Sequence, residues 1–462
     1  MSKVKRGVDY FFVLFWISLV ASINNPLGYY NTNSIIGVLR FIFSLAPIFV
    51  FLISVTLYFI NFNKFKSKNL IFLFFISFSL LQVISYFLAS DLNFGLNIYR
   101  IYWPICMLSV IFFLMVTDTA FNNKNIFNIF FLILLFYLGS YTLPVVISSI
   151  IEIFKNENLI TFYSAFSMSP DNNFFGIPLP RSSGVGRNIL FFYILLSFFL
   201  IFYQNNNFFN FLKRILLIFL SFYIFHLENR SSIYFLLLFN FFIFFYFLKK
   251  KNFKYRIIML CIMLIIPYFI HIFATVSKKN YQIYNENNQN ENNQNNEFSI
   301  TNEKSVKEFT KYSRIYALSD GSGRLGLWKK SIKPITNNLF LGYGPQADRI
   351  LINENVSNIF LYSLLCGGIL ALIFILLIII STLNNILYLV FIKKIFFNKK
   401  NIIINSSIFF IIFLLFRSLL ENSFAIFGID FMIFIICSTI LFNYTKISFY
   451  SCLKNNLKLF FR

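Results

Sequence analysis

Long apolar runs alternate with short basic segments throughout this chain, and that alternation leaves few folds open to it. Twelve runs read as membrane-crossing helices: 8–23, 38–60, 70–90, 98–117, 126–151, 189–203, 211–227, 231–248, 255–276, 358–380, 402–420 and 424–445. The chain has 462 residues, of which 58% are hydrophobic and only 12% charged, a balance that excludes a soluble globular domain. The 69 Phe residues accompany an excess of Ile, Asn and Lys that fits an AT-rich coding sequence, and they carry no individual meaning. The expected fold is all-α: a polytopic integral membrane protein of about 12 transmembrane helices. A large, partly helical loop on the outer side is expected between helices 9 and 10. Residues 1–276 would hold helices 1–9, with an outer loop at 152–188. Residues 277–357 would form the large loop, and 358–462 helices 10–12 with a cytoplasmic tail. Within the large loop, 282–302 is an Asn/Gln/Glu low-complexity stretch that reads as a disordered linker. Lys3, Lys5 and Arg6 before an apolar run resemble a signal peptide, but no small-residue cleavage site follows, so the run reads as an uncleaved first helix.

The net charge of +23 has a sidedness that explains it. With the N-terminus in the cytoplasm, the inner segments hold 22 of the 40 Lys and Arg residues against only Asp9 and Asp118. The inner net charge is +20 and the outer +3, as the positive-inside rule requires, so nucleic-acid binding is not needed to account for it. Arg is 4 of the 22 inner cations but 9 of the 18 outer ones: Arg40, Arg100, Arg181, Arg187, Arg230, Arg314, Arg324, Arg349 and Arg417. Arginine grips phosphate and carboxylate through two parallel N–H bonds, so the outer set points to an anionic substrate at the outer leaflet. The plainer alternative is that these residues pair with Glu228, Glu421 and Asp430, or meet lipid headgroups.

Three polar stretches stand out on the outer side. Ser322 to Gly344 opens on a helix-capping Ser. Leu325, Trp328, Ile332 and Ile335 then recur at helical spacing, and Lys329, Lys330 and Lys333 fill the other face. This predicts a short amphipathic helix along a membrane surface, with Trp328 as interfacial anchor and Pro334 and Asn337-Asn338 ending it. Gly342-Tyr343-Gly344-Pro345 predicts a tight turn. Glu228-Asn229-Arg230-Ser231-Ser232 is a polar turn between two spans, and ionisable residues held there are functional candidates; a self-neutralised hairpin is the structural alternative. Arg181-Ser182-Ser183-Gly184, Arg187 and Asn188 precede the sixth span. The five Cys imply no disulfide framework, and His226 and His271 stand alone, so no metal site is expected. No phosphate-binding loop, dinucleotide fingerprint or Ser-His-Asp order stands out.

These residues carry a resemblance. A short N/S-R-S-S turn, then S-G-R-x-x-x-W, then L-G-Y-G, then Ser357-Asn358-Ile359-Phe360-Leu361 running on to Gly367-Gly368-Ile369 resembles the O-antigen ligase/polymerase superfamily of bacterial inner membranes. Arg181 to Asn188 is similar to its R-x-x-G…N stretch, and the resemblance covers roughly Arg181 to Glu421. It implies a multi-pass inner (cytoplasmic) membrane protein, here with both termini cytoplasmic, that handles an undecaprenyl-pyrophosphate-linked oligosaccharide. It implies Arg230 and Arg324 as the diphosphate clamp and Glu228 as the nearest candidate base. Arg181, Arg187, Arg349 and Tyr343 would hold donor or acceptor. No cofactor is required; a chain-length regulator and a flippase are implied as partners. Ligases of the superfamily usually carry a His just before the Asn of the last motif, where this chain has Ser357. That departure favours a Wzy-type polysaccharide polymerase over a ligase. A lipid-linked oligosaccharide flippase would instead be expected to show repeated halves with polar groups at mid-membrane. A polyprenyl phosphate-sugar transferase would show acidic residues in its first outer loop, and Asn24 to Ile36 has none.

Overall fold

The computed structural model describes residues 35–60, 69–89, 99–121, 128–140, 142–143, 173–174, 177–178, 182–202, 207–226, 230–244, 257–258, 261–270, 324–393 and 401–445. The expected first span at 8–23, the linker at 282–302, Glu228 and Arg181 lie outside them. The chain forms two compact units, one of residues 1–137 with 323–462 and one of residues 138–322.

The first unit opens with α1 (Ile35–Ile60), α2 (Leu70–Leu88) and α3 (Tyr99–Phe121). A helix α4 (Asn128–Ser140) carries the chain into the second unit. There a pair of two-residue strands, β1 (Asn173–Phe174) and β2 (Ile177–Pro178), lie antiparallel. They are followed by α5 (Ser182–Phe202), α6 (Asn207–His226) and α7 (Arg230–Phe242). Helix α8 (Cys261–Ile270) is the last described helix of this unit. Back in the first unit come α9 (Arg324–Asn337), the short α10 (Ala347–Leu351), α11 (Ile359–Leu387) with a π-helical extension Tyr388–Ile392, α12 (Ile402–Ser418) and α13 (Ile429–Thr445). Among the described residues, five helices are long and apolar enough to cross a membrane and six more are shorter and apolar. The protein is an all-α polytopic membrane protein.

Local chemistry explains where several of these helices begin. Asn69 caps α2 by accepting from the Ile71 N–H at 3.2 Å. Asn358 caps α11 by accepting from Phe360 and Leu361 N–H at 3.0 and 3.1 Å. Helix α13 is apolar around its whole circumference and buried from Ile429 to Leu441, as such a helix must be. Against it packs α2, whose Phe75 ring lies 5.4 Å from Phe431 and 6.0 Å from Phe434.

Two helices differ from expectation. Helix α5 begins at Ser182 rather than 189, so Arg187 and Asn188 lie within a helix and not in the loop before it. Pro334 sits inside α9, which runs on to Asn337. Its ring removes only the N–H that would have donated to Lys330, and its carbonyl accepts from Asn338 N–H at 3.3 Å and from the Tyr343 hydroxyl at 3.0 Å.

The feature that organises the first unit is a break in α11. Gly367 (φ −145°, ψ 16°) and Gly368 (φ 65°, ψ −162°) leave helical geometry, and the second conformation is open essentially to glycine alone. In an unbroken helix the Ile369 and Leu370 N–H groups would donate to the Leu365 and Cys366 carbonyls. Here those carbonyls accept from Tyr343 N–H at 2.7 Å and Gly344 N–H at 2.9 Å, and Ile369 N–H donates to Leu339 at 2.8 Å. The turn after α9 thus replaces the bonds that the helix gives up. Contact is backbone against backbone. A Cβ on Gly342 would lie 2.7 Å from Gly367 N and Gly368 N, and one on Gly368 would fall on the Phe340 carbonyl.

Gly368→Ala is therefore expected to lower stability by more than about 2 kcal/mol, through backbone strain and collision together. Gly326, with nothing within 4 Å of a Cβ position, should accept Ala with no loss. Thermal unfolding of the two variants in detergent micelles checks the contrast; equal melting temperatures would refute it.

Candidate functional site

The turn Gly342 to Pro345 is clamped from α3 as well as from α11. Arg100, only 5% exposed, donates from Nε to the Pro345 carbonyl at 2.7 Å and from Nη2 to the Tyr343 carbonyl at 2.8 Å. Its guanidinium lies 5.2 Å from the centre of the Tyr86 ring, a cation–π arrangement. Gly344 abuts Tyr86 of α2 so closely that a Cβ would lie 2.7 Å from the Tyr86 Cα. Helices α3 and α11 therefore hold this turn through its polar groups, and α2 packs against it. Tyr343 is buried, with its hydroxyl donating to Pro334; burial pushes that hydroxyl's pKa upward, so it stays a neutral donor.

Beyond the turn, α10 presents two adjacent charges in opposite settings. Arg349 is exposed, whereas Asp348 is buried to 1%. Asp348 Oδ2 accepts from Val356 N–H at 3.2 Å and from Asn422 Nδ2 at 3.5 Å, while Oδ1 has no hydrogen-bond partner. Burial raises the carboxyl pKa; the Val356 N–H and the Arg349 charge pull the other way. Asn422 also donates to Asn355 Oδ1 at 2.7 Å and accepts from Asn358 N–H at 3.2 Å. The segment from Asn353 to Asn358 is thereby fixed although Asn353 and Ser357 have positive φ, 59° and 52°. Trp328 of α9 donates from Nε1 to the Val356 carbonyl at 2.9 Å. Trp328 thus ties α9 to the protein through its indole N–H, a contact the sequence did not suggest.

The sequence candidates fall into both units. In the first, Arg324 is the half-buried first residue of α9, and Arg349 and Tyr343 lie within six residues of each other around the clamped turn. In the second, Arg230 is the first residue of α7. Helix α7 is fixed to α5 by the Tyr193 hydroxyl, which donates to Asn240 Oδ1 at 2.6 Å. Arg187 is buried on α5 and donates to Asn188 Oδ1 at 3.0 Å; Asn188 in turn donates to Thr142 at 3.1 Å. Arg417 is engaged otherwise: it is buried and paired with Glu421 and, at 3.1 Å, with Asp430. For that one arginine the pairing alternative is the correct one. Among the described residues no three His, Cys, Asp or Glu side chains are placed to hold a metal ion. Sequence reasoning missed Asp348 and Asn422, and had Arg100 only as one of the outer set. A carboxylate four residues after a Gly-x-Gly turn was the available signal for Asp348.

A family model described as O-antigen ligase matches residues 215–376. This match, over about a third of the chain, supports the O-antigen ligase/polymerase superfamily. The match runs from α6 through the Gly367-Gly368 break and takes in Arg230, Arg324, Tyr343 and Arg349; it stops short of Arg181 and Arg187 on one side and Glu421 on the other. It supports an O-antigen ligase/polymerase-type function, that of a glycosyltransferase-like enzyme, in a bacterial membrane. No curated protein and no solved structure matches the chain.

The Asp348 setting has a pH signature. A folded-state carboxyl pKa raised above the ordinary 3.8 means stability that is fully present below that value and is lost as pH rises through the raised one. Asp348→Asn keeps an acceptor for Val356 and cannot ionise. The melting temperature of the Asn variant minus that of the wild type should therefore increase between pH 4 and pH 7. A difference that is constant across this window would show that Asp348 titrates normally.

Proposed function

We propose that this protein is a surface-polysaccharide polymerase of the bacterial inner membrane. It transfers a growing glycan from undecaprenyl pyrophosphate to a hydroxyl of the next lipid-linked repeat unit at the periplasmic face. The acceptor oxygen attacks the glycosyl C1, the C1–O bond to pyrophosphate breaks, and the acceptor proton goes to a base, for which Glu228 is the nearest candidate. Undecaprenyl pyrophosphate leaves with growing negative charge, so fixed cations aimed at it lower the barrier.

Arg230 and Arg324 suit that role by position as well as type. Each is the first residue of a helix, and the N-terminal end of a helix dipole also favours an anion. Arg181, Arg187, Arg349 and Tyr343 complete the proposed donor and acceptor contacts. The observation that carries polymerase over ligase is Ser357, which stands where ligases of the superfamily usually have His. Its N–H and hydroxyl are both turned to Asn355, at 3.0 and 3.2 Å, so nothing at this position offers an imidazole's proton chemistry. The second reading, a ligase that moves glycan onto lipid A core, is favoured by the description of the matched family.

A deletion strain separates the two: single repeat units on core mark a polymerase, unattached long chains a ligase, and absent export a flippase. Arg230→Ala and Arg324→Ala should each abolish the polymer ladder while the protein stays in the membrane. Loss of one charge-assisted contact, about 1.5–3 kcal/mol, slows transfer about ten- to a hundredfold. Arg→Lys at either site keeps charge without the fork and should rescue only in part. Lys329→Ala and Lys330→Ala should be mild. Normal ladders from both Arg→Ala variants at matched expression would remove the basis of the proposed clamp.

A further inference from the structure

Helix α9 leaves an apolar edge uncovered. Leu325 and Ile332, two turns apart, are 56% and 54% exposed, and the edge continues past the helix end to Phe340, 71% exposed. Beside it Lys329, Lys330 and Lys333 are all exposed, and no acidic residue occurs between Arg324 and Asp348 to neutralise them. An apolar edge bordered by unneutralised lysines is the pattern of a helix lying in a bilayer interface.

The hydrogen bonds at the helix break give this edge a depth. Helix α11 with its extension spans Ile359–Ile392, 34 residues, and ends at Lys393. A hydrocarbon core ~30 Å thick takes about 20 residues of helix. Counted back from Lys393 these reach about residue 373, which puts Gly367-Gly368 roughly 7 Å beyond the core, within the headgroup layer. Leu339 and Tyr343 are bonded to the backbone at this break, so Phe340 and the end of α9 lie at the same level. Leu370 and Ile373, the exposed apolar residues that follow on α11, are at the depth where acyl chains begin.

We propose that α9 and the Leu339-Phe340 corner dock on the bilayer itself, at the end of α11 opposite Lys393. The Leu325–Ile332–Phe340 edge enters among anionic phospholipids, and the three lysines meet their phosphates. This surface is independent of the polymerase reading and of Arg324, whose side chain is half-buried.

The test is the full chain in liposomes of phosphatidylethanolamine and phosphatidylglycerol, spin-labelled at single introduced cysteines: Ile332→Cys, Phe340→Cys, Lys330→Cys or Asn337→Cys. Cys106, Cys366 and Cys437 are buried, so Cys261→Ser and Cys452→Ser clear the background. Each label replaces an exposed residue, and an unchanged melting temperature confirms folding. Collision with oxygen should exceed collision with a water-soluble nickel chelate at 332 and 340, and the order should reverse at 330 and 337. Replacing phosphatidylglycerol with phosphatidylcholine should raise nickel access at 332. Nickel access at 332 and 340 equal to that at 337 would overturn the proposal. So would shielding of both positions from both reagents, which would mean that protein, from a second copy or another partner, covers the edge.

Discussion

A helix in a membrane can be broken only if something else satisfies the backbone groups set free by the break, because unpaired N–H and C=O groups in or near hydrocarbon cost several kcal/mol each. In this protein the Leu339–Gly344 segment does so. The Leu365 and Cys366 carbonyls and the Ile369 N–H all find partners on it. The exchange works only with glycine on both sides, at Gly342 in the turn and at Gly368 in the helix, because there the two backbones approach closer than any Cβ permits. Two sequence motifs more than twenty residues apart are thus the two halves of one joint.

The rest of the first unit follows from that joint. With the turn fixed on α11, its outward carbonyls at Tyr343 and Pro345 need donors, and Arg100 provides both from α3. A buried guanidinium is costly unless its N–H groups are used, and here the same bonds that satisfy the loop also satisfy the cation. The chain then leaves through α10, where Asp348 and Asn422 tie the return segment to the start of α11. Arg324 before the joint and Arg349 after it are held on a frame with few free torsions. In the proposed reaction, electrostatic stabilisation of a departing pyrophosphate would depend on such fixed placement, since charges that must reorganise contribute less.

Much of this was legible in the sequence. The apolar runs gave the all-α membrane class, and the spacing of Leu325, Trp328, Ile332 and Ile335 gave α9 almost to the residue. The apolar stripe was read as one face, but the structure divides it: Trp328 and Ile335 turn to the protein, Leu325 and Ile332 remain open. Periodicity reports that a stripe is apolar and cannot say what lies against each part of it. Pro334 read as a stop because its missing N–H weakens a helix; one missing bond near a C-terminus was not enough to end it. The Gly-Gly pair was legible only as part of a family pattern. Its physical meaning rests on pairing with residues 25 to 28 positions earlier, and no local rule encodes a long-range backbone contact. Asp348 and Asn422 were missed for the same reason, being 74 residues apart.

The architecture of the first unit depends on the Gly342–Pro345 turn being bonded into the helix break. Hydrogen exchange of the wild-type protein in lipid, followed by mass spectrometry, reads this directly. Peptides that report Tyr343 and Gly344 should exchange as slowly as those from the middle of α11, while the exposed Asn353-Glu354 segment exchanges quickly. Exchange at Tyr343 and Gly344 as fast as at Asn353-Glu354 would mean that the turn is a free surface loop, and the joint described here would not exist.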